Sequence, residues 1–523
     1  MSWKSEVEGI EERRRRALEL GGEEAVERQH ARGRLTIRER IDALLDPASF
    51  REQGPIAGHG ETDEAGRLQN FAPANYVLGF GKLDGRSCVV GGEDFTQRGG
   101  SPNAAGLRKS VFAEELACRY RLPLVRFLEG GGGSVAGTAG PRGKSRPPAP
   151  SADSVTAPPR FMSFGRAMAT VPVVSMAGGA VAGLPAARLV ASHFSIMTAE
   201  TSQVLIGGPA LVERALGEKL SKEELGGPGV HLRSGVVDNV GRDESECFEL
   251  IRRFLGYLPT NVWEGAPTVE CEDDPGRTEP ELLEIIPRNR RRTYKMRRIL
   301  ELVMDRGSIF EMTPLYGRSQ ITALARLRGQ PVGVLANDPN FYAGSMTAHG
   351  AQKFRRFVDL CDTFHLPIVS FVDEPGFMIG AEAERQATIR YGTSTIFAVM
   401  QSTVPWISIM VRKAYGVAAA AHFGPGGTVL SWPSVETGAL PIEGGVAVAF
   451  RREIEAAEDP ERKRAELEER LAASRSPFPR AEGFAVQDLI DPQTTRPELC
   501  NWIELIQPGL RGHRGERSYT FRP

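Results

Sequence analysis

Short, almost uninterrupted apolar segments occur at matching places in the two halves of the chain. Residues 171–177 (VPVVSMA) and 404–411 (VPWISIMV) each follow a threonine and lead to a loop of small residues. Earlier in each half, residues 123–130 (PLVRFLEG) and 367–376 (PIVSFVDEPG) follow a leucine. Short apolar runs bounded by glycine and proline are typical of strands buried on both faces. The pattern therefore predicts two sets of buried strands.

The segments between these strands show helical periodicity. Residues 107–121 (LRKSVFAEELACRYR) and 351–365 (AQKFRRFVDLCDTFH) carry apolar residues on one face. Strand–helix–strand order with nearly continuous apolar strands predicts parallel pairing through helical crossovers, and thus an α/β fold. The charged residues 451–473 predict one further helix at the surface.

The two halves align with each other as an internal repeat. Asp94 aligns with Asp338 at a spacing of 244 residues, whereas Thr170 aligns with Thr403 at a spacing of 233. The first half therefore carries 11 extra residues, which the Pro/Ser-rich stretch 140–160 accommodates. Its composition predicts a mobile loop.

Two homologous domains follow from this repeat, since 523 residues exceed what one core usually organises. We predict an N-terminal domain over 1–280 and a C-terminal domain over 281–523. The polar, Pro- and Gly-bearing segment 264–284 is predicted to join them.

Composition excludes several classes of protein. A formal net charge of −1 argues against a nucleic-acid or anionic-membrane partner. No run of about 18 apolar residues predicts a membrane span, and the charged start is unlike a signal peptide. The 6 cysteines and 8 histidines are scattered without metal-ligand spacing, so we expect no metal, reduced thiols and a cytoplasmic location.

Glycine-rich loops are the candidates for chemistry, since no GxSxG, Cys–His or P-loop motif is present. They lie at residues 129–134, 177–184, 373–380 and 413–421. Small residues let a ligand approach backbone N–H groups, and such groups can stabilise a developing oxyanion. The plainer alternative is that these glycines only form turns after strands.

Four motifs make the chain resemble the carboxyltransferase (beta) subunits of biotin-dependent acyl-CoA carboxylases, of the propionyl-CoA carboxylase type. The motifs are residues 30–50, 225–240, DEPGF at 373–377 and RKAYG at 412–416. The resemblance covers nearly the whole chain. It implies an α/β fold of two tandem crotonase-like (ββα superhelix) domains, with acyl-CoA bound by the first and carboxybiotin by the second. It also implies an active site between the N domain of one subunit and the C domain of another.

The resemblance assigns residues by position. Two facing oxyanion holes fall on Gly183 with Leu184 and on Val417 with Ala418. The remaining assignments are Gly376, Phe377, Tyr415 and Gly416 for biotin, Gly130, Gly131 and Gly132 for the thioester arm, and Arg34 and Lys109 for CoA phosphates. Leu184 and Val417 depart from the family's glycines, and Ala420 stands where propionyl-type members usually carry Asp. The run Ala418–Ala421 therefore predicts a small apolar floor that tolerates longer acyl chains.

The implied mechanism needs no catalytic side chain. Carboxybiotin releases CO2, the biotin anion takes the α-proton, and the enolate attacks CO2 while backbone N–H groups hold its oxygen. The chain has no Met-Lys-Met biotinylation motif and no ATP-grasp-like region. A separate biotin carboxylase and biotin carboxyl carrier (alpha) subunit are therefore expected, with a homo-oligomer, a hexamer built from dimers, as the family assembly.

Three alternatives remain. A biotin-dependent acyl-CoA decarboxylase subunit would use the same loops in the opposite direction. A non-catalytic assembly subunit is suggested by the changed residues Leu184 and Val417. A crotonase-type hydratase or isomerase would need a carboxylate near the first hole, and residues 177–187 contain none.

Overall fold

The chain folds into two compact units, one reaching Glu264 and the other starting at Gly265. The structure, a computed structural model, describes residues 2–101, 103–131, 161–290, 292–473 and 476–518. Gly132 and the loop predicted over 140–160 lie outside the described residues.

Unit 1 combines a mixed sheet, a separate hairpin and ten helices within its described part. Its strands are β1 Arg51–Glu52, β2 Gly58–Thr62, β3 Leu68–Pro73, β4 Tyr76–Leu83, β5 Arg86–Glu93, β6 Leu124–Gly130, β7 Val173–Ala182, β8 Phe194–Thr198, β9 Gln203–Leu205 and β10 Asn239–Gly241. Its helices are α1 Lys4–Leu18, α2 Glu23–His30, α3 Ile37–Leu44, α4 Ala104–Tyr120, α5 Phe161–Thr170, α6 Leu184–Val190, α7 Pro209–Leu216, α8 Lys222–Gly226, α9 Pro228–Ser234 and α10 Glu244–Tyr257.

Unit 2 repeats the sheet. Its strands are β11 Phe310–Met312, β12 Gln320–Leu327, β13 Gln330–Asn337, β14 Ile368–Glu374, β15 Trp406–Tyr415, β16 Thr428–Ser431, β17 Glu436–Gly438 and β18 Asp488–Leu489. Its helices are α11 Met296–Val303, α12 Ala348–Thr363, α13 Ala381–Arg385, α14 Thr388–Gln401, α15 Ile442–Ala449, α16 Arg451–Glu455, α17 Pro460–Ala473, α18 Phe478–Glu482 and α19 Thr495–Leu510. A 3-10 turn spans Ala418–His422.

The two sheets have the same strand order. Unit 1 runs β1-β4-β5-β6-β7-β8-β10 with β9 on β7, and unit 2 runs β11-β12-β13-β14-β15-β16-β18 with β17 on β15. The predicted apolar strands pair in parallel, as expected. Each sheet also carries an antiparallel hairpin that the apolar pattern does not predict, turning at Asp84–Gly85 and Arg328–Gly329 with positive φ angles.

A register shift occurs at the same place in both sheets. It lies between Leu128 and Gly130 in β6 and between Val372 and Glu374 in β14. These positions are separated by the 244 residues found in the sequence repeat. The repeat is therefore structural as well as sequential, down to an irregularity in one strand.

The predicted crossover helices are confirmed as α4 and α12. Each begins after a polar N-cap: the Asn103 side chain accepts from Gly106 N–H, and Thr347 accepts from Gly350 N–H. The single helix predicted over 451–473 is wrong, because the structure breaks it into α16 and α17. Pro460 opens α17, and its ring disfavours helical backbone at the residue before it.

The segment that joins the halves packs with unit 2. Val269 N–H donates to Gly329 O at 3.2 Å, and Arg277 forms an ion pair with Asp273 at 2.7 Å. The fully buried Arg496 donates to Asp273 O at 3.1 Å. Residues 265–280 thus belong to the second compact unit, whereas the sequence assigns them to the first domain.

Candidate functional site

An exposed turn follows the central strand of each sheet. In unit 1, Gly183 (φ 67°) connects β7 to α6. In unit 2, Gly416 (φ 62°) follows β15 and precedes the 3-10 turn. Both glycines are exposed and adopt left-handed backbone, which other residues disfavour. Both turns lie at the carboxyl end of a parallel strand, where ligand sites form in α/β folds.

Strand register fixes which residues of the two turns correspond. Gly130 pairs with Val181 in unit 1, and Glu374 pairs with Ala414 in unit 2. Leu184 is therefore equivalent to Val417. The predicted hole residues are out of step by one, since Gly183 corresponds to Gly416 rather than to Val417.

This one-residue difference affects the available donors. Gly416 N–H already donates to Gly438 O at 3.1 Å. The unit 1 equivalent of Ala418 is Pro185, which has no N–H. Leu184 and Val417 are therefore the only equivalent pair among these positions that can offer a donor in both units.

The small residues after Val417 are mostly covered. Val417 is 66% exposed, whereas Ala418, Ala419 and Ala421 are buried. Ala420 keeps partial exposure. The expectation that the whole run forms an apolar floor needs correction, because the 3-10 turn directs three of its methyl groups into unit 2.

Two glycines before the first turn have a packing role. A Cβ on Gly178 would overlap the Arg40 guanidinium, and one on Gly179 would overlap the Glu129 carboxylate. Arg40 lies 2.6 Å from Glu129 and 2.7 Å from Glu244, with all three side chains buried. This part of the glycine loop therefore accommodates a buried ion network rather than a ligand.

The loop after β6 packs tightly at its start. A Cβ on Gly130 would lie 2.7 Å from Gly100 O, so the two backbones require glycine to approach this closely. Gly131 N–H donates to Gly99 O at 3.4 Å, and only a single side-chain atom lies near its missing Cβ. Of the predicted thioester residues described, Gly131 has the open surroundings.

The two basic residues predicted for CoA phosphates are engaged within the chain. Arg34 pairs with Glu129 at 3.2 Å and donates to Thr201 O at 2.7 Å. Lys109 donates to Gly54 O at 3.2 Å, and burial lowers the pKa of its ammonium group. Both groups are largely buried, so their contacts favour a structural role.

A buried carboxyl next to the first turn has no local sequence signal. Glu93, at the end of β5, shares a small polar cavity of about 10 Å³ with Leu184, Tyr76 and Arg188. Burial raises the pKa of the Glu93 carboxyl to about 7. Tyr76 Oη and Arg188 Nη2 face no hydrogen-bond partner among the described residues. The structure thus brings a carboxyl near Leu184 that residues 177–187 do not contain.

The predicted biotin residues divide into two groups. Gly376 (φ 126°) meets nothing within 4 Å on its missing side chain, and Phe377 packs on Gly392 of α14. Tyr415 is fully buried, and its hydroxyl donates to Glu436 at 3.0 Å. The open loop at Gly376 can receive a ligand, whereas the Tyr415 side chain holds β17 in place.

Equivalent strained turns flank both sites. Arg98 (φ 55°) and Tyr342 (φ 51°), 244 residues apart, have left-handed backbone and exposed side chains. Non-glycine residues rarely adopt this conformation, and it concentrates at functional sites. Gly99, next to Arg98, contacts Gly131, and Met346, just after the Tyr342 turn, bridges to Phe377. The repeat spacing was the available signal for this pair.

Two searches over the described residues returned nothing. No group of three or more His, Cys, Asp or Glu side chains could hold a metal ion there. Nor is any helix in the described ranges long and apolar enough to cross a membrane.

Comparison with known proteins places this geometry in context. Residues 28–517 match the family model described as "Carboxyl transferase domain". The chain is 32% identical to the methylmalonyl-CoA decarboxylase subunit alpha of Veillonella parvula, over 96% of this chain and 95% of the relative. It is 33% identical to the propionyl-CoA carboxylase carboxyltransferase subunit of Haloferax mediterranei, over 97% of each.

A solved structure matches the whole chain. It is the transcarboxylase 12S hexamer with methylmalonyl-coenzyme A and methylmalonic acid bound, at 30% identity and a TM-score of 0.84. The match covers 100% of this chain and 97% of that one. Together with the two repeated sheets, it confirms the predicted fold of two tandem crotonase-like domains.

Proposed function

Because this chain belongs to the carboxyl transferase family, we propose that it moves a carboxyl group between carboxybiotin and the α-carbon of an acyl-CoA. The repeated turn carries this proposal: Leu184 and Val417 occupy the same position in two sheets of the same order. One chain with two equivalent backbone sites suits a reaction in which two substrates each develop an oxyanion.

Unit 1 is proposed to bind the acyl-CoA. Support comes from the open surroundings of Gly131 and the exposed Gly183 next to Leu184. Backbone N–H groups of Gly183 and Leu184 donate to the thioester oxygen, and they stabilise it most when the α-proton has left and the oxygen is negative. The buried ion network of Arg40 and Glu129 holds the backbone behind this turn.

Unit 2 is proposed to receive carboxybiotin, which supplies the carboxyl group and, once decarboxylated, a base for the α-proton. The chain's own residues fit a flat ureido ring, because Gly376 has open space beside it and Gly416 is exposed. Val417 and Ala418 N–H groups orient the ureido oxygen. Since biotin provides the base, the chain itself needs only to bind, orient and exclude water.

Partners follow from the same proposal. A carrier protein must deliver biotin and a biotin carboxylase must charge it, as the alpha subunit of the biotin-dependent carboxylases would do. The transcarboxylase 12S relative assembles as a hexamer. We propose a hexamer of this chain on that likeness.

A decarboxylase subunit is the second candidate. The observation in its favour is the 32% identity to the Veillonella methylmalonyl-CoA decarboxylase subunit, against 33% for the Haloferax carboxylase subunit. Both reactions pass through the same enolate and differ in the direction of carboxyl movement. The same site therefore serves either one.

The experiment combines the purified chain with a biotin carboxylase and carrier from a related system. ATP- and bicarbonate-dependent carboxylation is measured over acetyl-, propionyl-, butyryl- and longer acyl-CoAs. Transfer in the reverse direction is measured from methylmalonyl-CoA to free biotin. Activity in neither direction with any of these thioesters would refute the proposal.

A further inference from the structure

Glu374 and His422 form a fully buried polar contact in unit 2. Both side chains are 0% exposed, and His422 Nε2 lies 3.5 Å from Glu374 Oε2. The repeat places Gly130 opposite Glu374 and Leu189 opposite His422. Neither unit 1 residue can make such a contact, so this contact is specific to unit 2.

Glu374 ends β14 and holds the loop that follows. Its Oε1 accepts Gly376 N–H at 2.9 Å and Met346 N–H at 3.3 Å. Its Oε2 accepts the Asn337 side-chain amide at 3.0 Å. Met346 in turn donates to Gly376 O at 3.1 Å and accepts Met378 N–H at 2.9 Å. One carboxylate therefore fixes both sides of the loop at Gly376 and Phe377.

His422 ends the 3-10 turn that begins at Ala418. Its Nδ1 lies 3.0 Å from Ser370 Oγ, and its carbonyl accepts Trp406 Nε1–H at 2.9 Å and Ser408 Oγ–H at 2.7 Å. The ring is thus held from two strands while its other nitrogen faces Glu374. A shift of the turn would break several buried hydrogen bonds together, which makes its position well defined.

We propose that Glu374 is a positioning residue for carboxybiotin, acting through His422. It couples the loop at Gly376 to the turn at Ala418, so that both present their backbones to the same ligand. This rests on the proposed function of unit 2. Glu374 does not touch the ligand, because its carboxylate is fully buried and already has four partners.

The test measures carboxyl transfer from methylmalonyl-CoA to free biotin by the purified chain in its native assembly. In Glu374→Gln, kcat/KM for biotin is expected to fall about tenfold or more, since small displacements of binding groups are costly. KM for methylmalonyl-CoA is expected to stay as in wild type, because unit 1 lacks this contact. His422→Gln is expected to behave alike, and the double variant no worse than the weaker single one.

Asp362→Asn is the matched control. Asp362 is a buried carboxylate of the same unit that accepts Thr403 N–H at 2.7 Å, away from both loops. It is expected to lower the melting temperature without changing KM for biotin. If Glu374→Gln leaves KM and kcat for biotin unchanged, or raises both KM values equally, the positioning role is refuted.

Amide hydrogen exchange separates this inference from the proposed function. If the wild type transfers no carboxyl group, the function of the site fails, yet the coupling remains measurable. Glu374→Gln is then expected to speed exchange in residues 375–380 and 416–422 together, while Asp362→Asn affects neither. Faster exchange confined to 375–380 would show that the two segments are not coupled and would overturn the inference.

Discussion

The phenyl ring of Phe377 lies against Gly392 in the middle of α14, where a Cβ would overlap the ring. Phe377 is part of the loop proposed for carboxybiotin, whereas Gly392 is remote from it in sequence. The helix therefore determines the orientation of the ring. A glycine in a helix interior normally costs stability, so close packing gives it a physical reason here.

Gly392→Ala is expected to displace Phe377 and raise KM for biotin several-fold, with a loss of about 1–3 kcal/mol from overpacking. Steady-state transfer to free biotin and thermal unfolding measure the two effects. Phe377→Leu in the Gly392→Ala background should recover part of the stability, because the smaller side chain leaves room for the methyl group. No recovery would mean that the contact does not determine the loop.

Substitution by proline tests the equivalent donors Leu184 and Val417. Each proline removes one N–H at a position where the backbone starts a helical turn and tolerates proline. Carboxyl transfer should fall about 100-fold or more for each, the usual cost of one oxyanion donor. Leu184→Ala and Val417→Ala keep the N–H and are the controls.

Steady-state kinetics and size-exclusion chromatography together read this experiment. The proline variants should elute as the wild type does and lose turnover rather than assembly. Wild-type turnover in correctly assembled Leu184→Pro would remove this N–H from the mechanism.

Gly178→Ala should destabilise unit 1 by about 1–3 kcal/mol, because the methyl group would displace the buried Arg40 from its ion network. Thermal unfolding measures the loss. Gly256→Ala is the matched control, since Gly256 lies in α10 with nothing within 4 Å of its missing Cβ. That change should raise stability slightly through helix propensity. Equal effects of the two substitutions would contradict the packing role.

Ala420→Asp tests acyl-chain preference. Ala420 alone of its run keeps partial exposure, so a carboxylate there would face the acyl chain across the turn. Each buried methylene contributes about 0.8 kcal/mol, which wild type should realise for chains longer than propionyl. The measurement is kcat/KM over acetyl- to longer acyl-CoAs. A tenfold or greater preference of wild type for acetyl-CoA, or an unchanged ranking in the variant, would contradict it.

Glu93 predicts a dependence of stability on pH. Burial raises the pKa of this carboxyl from 4.5 to about 7, so the folded chain holds a proton that the unfolded chain releases. The free energy of unfolding therefore falls as the pH rises through that window. Glu93→Gln removes this term, and its melting temperature should gain on wild type between pH 5 and pH 8. A constant difference across this range would show that Glu93 keeps an ordinary pKa.

Local patterns predicted much of the fold. The apolar strands, the crossover helices α4 and α12, and the repeat spacing of 244 residues follow from periodicity, which is encoded within each element. The break before Pro460 was also available locally, although the charge pattern hid it. The family, too, follows from short motifs such as DEPGF and RKAYG, because each is contiguous in the chain.

The site depended on contacts between distant residues. Gln29 reaches Glu129 across 100 positions and Arg40 reaches Glu244 across 204, so no local signal marks them. The same holds for the pairing of Arg34 and Lys109 within the chain.

The sequence by itself determined that two equivalent turns exist and which residues form them. Only the tertiary structure decided their alignment, Leu184 with Val417, because strand register is fixed by hydrogen bonds between strands and not by residue type. It also decided that Glu374 reaches His422, since burial brings together polar groups that are 48 positions apart.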